Sequence, residues 1–203
     1  MNYFEFFSLP RKLTLDVVAL EKQFYTMSRK LHPDRFAGKP AAEQEAALAQ
    51  SSLLNDAYRT LKDPILRTQY VLKLEGVELE EQSKAATEAA RVSGTEKKQV
   101  VPPELLEEVF ELNMQLQEMR AAKAMGEEEP ELRRDLMTAK DAFDAKMVET
   151  QAELESLWSV WDAGVDAGDE AAKTRARDAM VGLLNKRSYL RNLVRDVNEA
   201  LSL

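Results

Sequence analysis

The sequence of residues 16–36 is DVVALEKQFYTMSRKLHPDRF. Asp16 is a residue type that caps helices, and after it apolar residues recur at steps of three and four, which predicts an amphipathic helix. Those apolar residues are Val17, Leu20, Phe24, Met27 and Leu31. Pro33 ends the pattern, because the residue before a proline is pushed out of the α region. We therefore expect His32-Pro33-Asp34, the His-Pro-Asp motif, to form a turn directly after a helix.

A second helical pattern runs from about Pro40 to Lys62, and a shorter one follows it as far as about Leu74. The second pattern uses Ala47, Leu48, Ser51, Leu54, Ala57, Tyr58 and Leu61. Because the connection at residues 32–39 is short, the two long helices must run antiparallel to share a core. The His-Pro-Asp motif then projects from the tip of a helical hairpin.

The face of the first helix that lies opposite its apolar residues is basic. Lys22, Arg29 and Lys30 occupy that face, and Arg35 comes just after the motif. This pattern fits an ordinary solvated face, and it also fits a positive rim suited to an acidic partner surface.

The composition predicts an all-α protein, since strong helix formers dominate and only 7 Gly and 7 Pro occur in 203 residues. Residues 1–76 carry 11 basic and 9 acidic residues, whereas residues 77–203 carry 17 and 27. The acidic part argues against nucleic acid as a partner. There is no signal-peptide pattern and no apolar run of about 20 residues, so no membrane association is expected. The absence of cysteine excludes thiolate chemistry and is compatible with a cytoplasmic location.

His32 is the only histidine of the chain. A general base would need a positioned partner and a pocket, and a metal ligand would need companion ligands. The sequence has no paired catalytic constellation and no phosphate-binding loop, so we expect no enzyme, no metal site and no cofactor. A purely structural turn remains the alternative for the motif, in a helical protein whose His-Pro-Asp is accidental.

The C-terminal part has three further helical segments, at about 103–125, 130–163 and 169–201. Short breaks separate them, which predicts a three-helix bundle. Residues 76–102 have no clear periodicity and are predicted to be a linker. The predicted domains are therefore 1–75, 76–102 and 103–203.

The first of these segments carries two apolar stripes. The first, a seam at steps of four and three, consists of Leu105, Val109, Leu112, Leu116 and Met119. The second consists of Leu106, Phe110 and Met114 and begins about 100° around the helix. Glu107 and Glu111 flank the second stripe. It is either part of the core or an exposed protein-binding face with an acidic rim.

Residues 1–74 resemble a J domain. The matching positions are Tyr3-Phe4, Phe7-Ser8-Leu9-Pro10, Phe24-x-x-Met27-x-x-x-Leu31-His32-Pro33-Asp34 and Leu54-Asn55-Asp56-Ala57-Tyr58-x-x-Leu61-x-Asp63-Pro64-x-x-Arg67-x-x-Tyr70. The resemblance implies binding to a heat-shock chaperone ATPase of the DnaK/HscA type. It also implies that the motif and the basic face stimulate ATP hydrolysis. The implied chaperone-binding residues are His32, Pro33, Asp34, Lys22, Arg29, Lys30 and Arg35.

The whole chain resembles the HscB family, J-type co-chaperones of iron–sulfur cluster assembly. The resemblance rests on Met1-Asn2-Tyr3-Phe4, on residues 32–37, on Arg67 followed by Tyr70-Val71-Leu72, and on residues 105–113. It implies that the C-terminal bundle binds an IscU-type scaffold protein. The implied scaffold-binding residues are Leu106, Glu107, Phe110, Glu111, Met114 and Tyr189.

Two of these positions depart from the family pattern. Glu107 stands where the family usually has methionine, and Met114 stands where it often has an acidic residue. The alternative function is that of a J-domain co-chaperone for a different client protein.

Overall fold

The computed structural model describes residues 1–77 and 101–202, and every regular element in this part of the chain is helical. The α-helices are α1 (Tyr3–Phe6), α2 (Val17–Leu31), α3 (Ala41–Lys62), α4 (Pro64–Leu74), α5 (Leu106–Met125), α6 (Pro130–Ala167) and α7 (Glu170–Ser202). Short 3₁₀ turns lie at Pro33–Phe36 and Pro103–Leu105. The prediction of an all-α protein is confirmed.

The chain forms two compact units. Among the described residues, the first unit consists of residues 1–77 with Glu155–Met180, and the second consists of residues 101–154 with 181–202. The predicted linker at residues 76–102 lies almost entirely outside the described residues. The predicted boundaries assigned all residues after 102 to one C-terminal module, whereas this grouping assigns Glu155–Met180 to the first unit. Helical periodicity indicates which face of a helix is buried, but it does not identify the element that covers that face.

The helical hairpin of the first unit is present where it was predicted. The side chain of Asp16 accepts a hydrogen bond from the amide of Ala19 and caps α2. The ring of Phe24 on α2 stacks on that of Tyr58 on α3, with 4.0 Å between ring centroids. Closer to the start of α2, the carboxylate of Glu21 accepts a hydrogen bond of 2.9 Å from the hydroxyl of Tyr58. These contacts hold α2 against α3.

Leu48 is an error in the predicted apolar face of α3, because its side chain is exposed. At about 100° per residue, Leu48 lies roughly 100° around the helix from Ala47, which is buried. Leu54, Ala57 and Leu61 are buried as predicted.

A buried polar contact attaches the C-terminal part of α6 to the N-terminal segment within the first unit. The carboxylate of Asp162 accepts hydrogen bonds from the amides of Leu13 at 2.8 Å and Thr14 at 2.9 Å. The indole of Trp158 donates to the hydroxyl of Thr68 at 3.1 Å. Buried backbone amides and indole groups need such partners, so α6 completes the core of the first unit.

The second unit has a core to which α5, α6 and α7 all contribute. Its buried members are Leu105, Val109, Leu112, Leu116, Leu136, Phe143, Leu190, Leu193 and Val197. The predicted seam is therefore confirmed as core at four positions, and its fifth residue, Met119, is partly buried against them. Glu108 on α5 pairs with Lys146 on α6 at 3.1 Å, and Glu104 pairs with Lys186 on α7 at 3.3 Å. These ion pairs connect the start of α5 to both neighbouring helices.

Candidate protein-binding surfaces

The His-Pro-Asp motif forms an exposed turn whose shape is set by its own residues. The backbone of His32 leaves the helical region with ψ of 127°, as a residue before proline should. Its Nδ1 accepts a hydrogen bond of 3.3 Å from the amide of Asp34, and its carbonyl accepts one of 3.0 Å from the amide of Arg35. The side chain of His32 is 55% exposed and that of Asp34 is 88% exposed. The carboxylate of Asp34 lies 3.5 Å from Nδ1 of His32, so the motif presents an imidazole and a carboxylate side by side to an incoming partner.

The basic residues predicted around the motif are all exposed, and two of them are held at the end of α2. Arg35 donates a hydrogen bond of 3.2 Å to the carbonyl of Arg29, and Arg29 donates one of 3.2 Å to the carbonyl of Tyr25. The last carbonyls of a helix lack helical partners and carry partial negative charge, which favours cations there. The end of α2 thus concentrates positive charge next to the motif.

Two residues on the same face of α2 were missed by the sequence analysis. Val18 and Tyr25 are exposed, although both are large and apolar in part. With Lys22 and Arg29 they follow the spacing i, i+4, i+7 and i+11, which places all four on one helix face. The signal that could have found them is an apolar residue at helical spacing within the basic face. A partner that contacts Lys22 and Arg29 therefore also meets apolar surface.

The second candidate surface is the α5 strip, which consists of Leu106, Phe110 and Met114. Their side chains are 56%, 69% and 58% exposed. The strip is therefore outside the core, and the alternative that it packs inside the bundle is excluded. Glu107 and Glu111 are exposed beside it. The arrangement is a continuous apolar surface with acidic residues along its edge, which is characteristic of protein-binding faces.

Tyr189 has a different environment from the α5 strip. Its side chain is half-buried on α7 and packs against the core of the second unit. Burial raises the pKa of its hydroxyl, and the negative charge of Asp196 adds to this effect. Its ring therefore stabilises the bundle in addition to any contact that it makes with a partner.

The described residues contain no helix that is both long enough and apolar enough to cross a membrane. Within residues 1–77 and 101–202 there is also no group of three or more histidine, cysteine, aspartate or glutamate side chains that could hold a metal ion.

Comparison with known proteins is informative for both surfaces. Residues 2–70 match the model of the DnaJ domain family. The structure is similar to chaperone HscB from Vibrio cholerae, with 26% sequence identity and a TM-score of 0.60, over 98% of this chain and 96% of that chain. The human co-chaperone protein HscB matches with 22% identity and a TM-score of 0.62, over 100% of this chain and 84% of that chain. Residues 2–70 are a J domain, and the whole chain has a fold similar to that of the HscB co-chaperones.

The J domain accounts for only one of the two surfaces. Its match ends at residue 70 and includes the His-Pro-Asp motif and the basic face of α2. The α5 strip lies outside the matched residues and is covered by the whole-chain structural similarity alone.

Proposed function

We propose that this protein is a non-enzymatic, cytoplasmic co-chaperone that stimulates the ATPase of a DnaK/HscA-type chaperone. Its second activity is to deliver an IscU-type scaffold to that chaperone for iron–sulfur cluster assembly or transfer. The observation that carries the proposal is the presence, in one chain, of an exposed His-Pro-Asp turn and a separate exposed apolar strip. Such a co-chaperone needs one surface that activates the chaperone and a second surface that binds the client.

The chaperone-binding part of the proposal rests on the end of α2 and the turn that follows it. His32, Pro33 and Asp34 would contact the chaperone directly. Lys22, Arg29, Lys30 and Arg35 would attract an acidic surface and orient it, because complementary charge accelerates encounter and selects the partner. Lys22 and Lys30 form no ion pair within the described residues, so their charges are available to a partner.

The scaffold-binding part of the proposal rests on the α5 strip. Burial of a large apolar side chain contributes about 1.5–3 kcal/mol, so the three side chains of the strip form an adequate centre for an interface. Glu107 and Glu111 would form its polar edge, and Tyr189 would contribute from α7. Two partners that are held by one chain meet at a raised effective concentration. ATP hydrolysis would then be triggered where the client is already bound.

The second candidate function is that of a J-domain co-chaperone for another client, and the departures at Glu107 and Met114 favour testing it. At these two positions an acidic and an apolar side chain are exchanged relative to the family pattern, which changes the partner surface that is complementary to the strip. A pull-down with the full chain as bait, and with Phe110→Ala as its control, separates the two functions, since only the first predicts that a cluster scaffold is retained.

The decisive experiment measures the ATPase rate of a DnaK/HscA-type chaperone with the full chain, with an IscU-type scaffold, and with both. We expect stimulation by the chain alone and a greater than additive increase when the scaffold is added. Stimulation that the scaffold leaves unchanged would support the alternative client. No stimulation in any combination would refute the co-chaperone function.

A further inference from the structure

A groove of 390 Å³ lies between α5 and α6 in the second unit. Its size falls in the range of about 300–1,000 Å³ that is typical of small-molecule sites, so it can hold one long side chain. Leu112 and Phe143, both buried, form its apolar floor. Such a floor suits the aliphatic stem of a long polar side chain.

The walls of the groove carry three carboxylates, and no lysine or arginine is among the residues that line it. Glu111 on α5 and Asp135 on α6 are exposed and form no ion pair in the described parts of the chain. Glu108 is different, because its Oε1 pairs with Lys146 whereas its Oε2 is buried and has no hydrogen-bond partner. The amide oxygen of Gln115, another lining residue, is also buried without a partner. The groove therefore combines negative charge with hydrogen-bond acceptors that lack donors.

The groove is continuous with the α5 strip. Glu111 lines the groove and also flanks the strip, and it follows Phe110 directly in the chain. A protein that covers Phe110 and Met114 therefore reaches the edge of the groove on the same helix. The negative charge of the groove calls for a positively charged occupant. Among the described residues there is no group of side chains that could hold a metal ion, so a metal ion is disfavoured as that occupant.

We propose that the groove receives a basic side chain, preferably arginine, from the protein that binds the α5 strip. The stem of the arginine would lie on Leu112 and Phe143, and its guanidinium would lie between Glu111 and Asp135. Arginine fits best because its planar group has five donors and it is more weakly hydrated than lysine. This inference rests on the proposed function, and it adds that the scaffold has a basic residue beside the apolar surface that meets the strip.

The test compares Asp135→Lys with Asp141→Lys, a matched control. Asp141 is exposed on α6 but does not line the groove, so both substitutions make the same change in net charge. Calorimetric titration with an IscU-type scaffold gives the dissociation constant for the wild type, for both variants and for Phe110→Ala. A charge-assisted hydrogen bond corresponds to about tenfold in affinity. We therefore expect Asp135→Lys to weaken binding by about tenfold or more and Asp141→Lys to leave it unchanged.

The possible results distinguish this inference from the proposed function. Weaker binding by Phe110→Ala together with normal binding by Asp135→Lys would overturn the groove and leave the proposed function standing. A scaffold that does not bind the wild type would overturn both. In the positive case, changing one scaffold arginine or lysine to glutamate should restore affinity for Asp135→Lys. If no such substitution restores the affinity, Asp135→Lys weakens binding through its long-range charge and not by excluding a side chain from the groove, and the inference fails.

Discussion

The His-Pro-Asp turn and the α5 strip are both exposed, but they arise in different ways. The turn follows from local rules, because Pro33 ends α2 and the hydrogen bonds of His32 reach only to the next few residues. The strip follows from tertiary packing, since the residues of α5 that avoid the core are identified only by the positions of α6 and α7. A surface that is shaped by residues close in sequence can therefore be predicted from sequence. A helix face that stays exposed because no other helix covers it can be identified only from the structure.

The largest effect is expected at the turn. His32→Gln should abolish most of the stimulation of the chaperone ATPase, because the imidazole is the exposed centre of the turn. The melting temperature should stay close to that of the wild type, since the side chain is 55% exposed and its hydrogen bond is local. ATPase assays and thermal unfolding measure the two quantities. Full stimulation by this variant, or a large loss of stability, would show that the turn is structural.

The α5 strip and the core of the second unit can be distinguished with two phenylalanines. Phe110 is 69% exposed and Phe143 is 2% exposed. Phe110→Ala should weaken scaffold binding by about 30-fold or more, as for a hot spot of about 2 kcal/mol, and leave stability almost unchanged. Phe143→Ala should lower the free energy of unfolding by about 3–5 kcal/mol. Chemical denaturation and binding titrations would contradict this assignment if the two variants behaved alike.

The same distinction decides how much of the molecule could be predicted. The helices, the hairpin, the seam and the position of the motif follow from periodicity, capping and proline, and the structure has them. Leu106 is exposed although its neighbour Leu105 is buried. This exposure could not be predicted, because sequence spacing alone allows the second stripe to lie either in the core or on the surface. The attachment of Asp162 to the N-terminal segment and of Trp158 to Thr68 on α4 was also not predicted. Contacts between residues about 90 to 150 positions apart leave no local signal.

A third prediction tests whether the J domain is complete without α6. Asp162→Ala removes the acceptor for the amides of Leu13 and Thr14. Because each hydrogen bond to a charged group contributes about 1.5–3 kcal/mol and two are lost, the free energy of unfolding should fall by at least that amount. Asp166→Ala is the control. It breaks a more exposed pair with Lys12, so it should cost only about 0–1 kcal/mol. Equal effects of the two substitutions would show that the buried contact is not stabilising.

The smallest expected effect concerns the contact of Glu21 with α3, which helps to hold the hairpin that presents the turn. The hydrogen bond from Tyr58, and then that from Lys62, lowers the pKa of Glu21 below its ordinary value. A carboxyl whose pKa is lower in the folded state stabilises the fold above its unfolded pKa, and this contribution is lost as the pH falls through the folded pKa. Glu21→Gln should therefore lower the melting temperature slightly at neutral pH and make its decrease on acidification less steep. Glu45→Gln, on the exposed side of α3, is the control and should follow the wild type. If Glu21→Gln also followed the wild-type curve, the contact would not contribute to the stability of the hairpin, and the Phe24–Tyr58 stack would have to hold it.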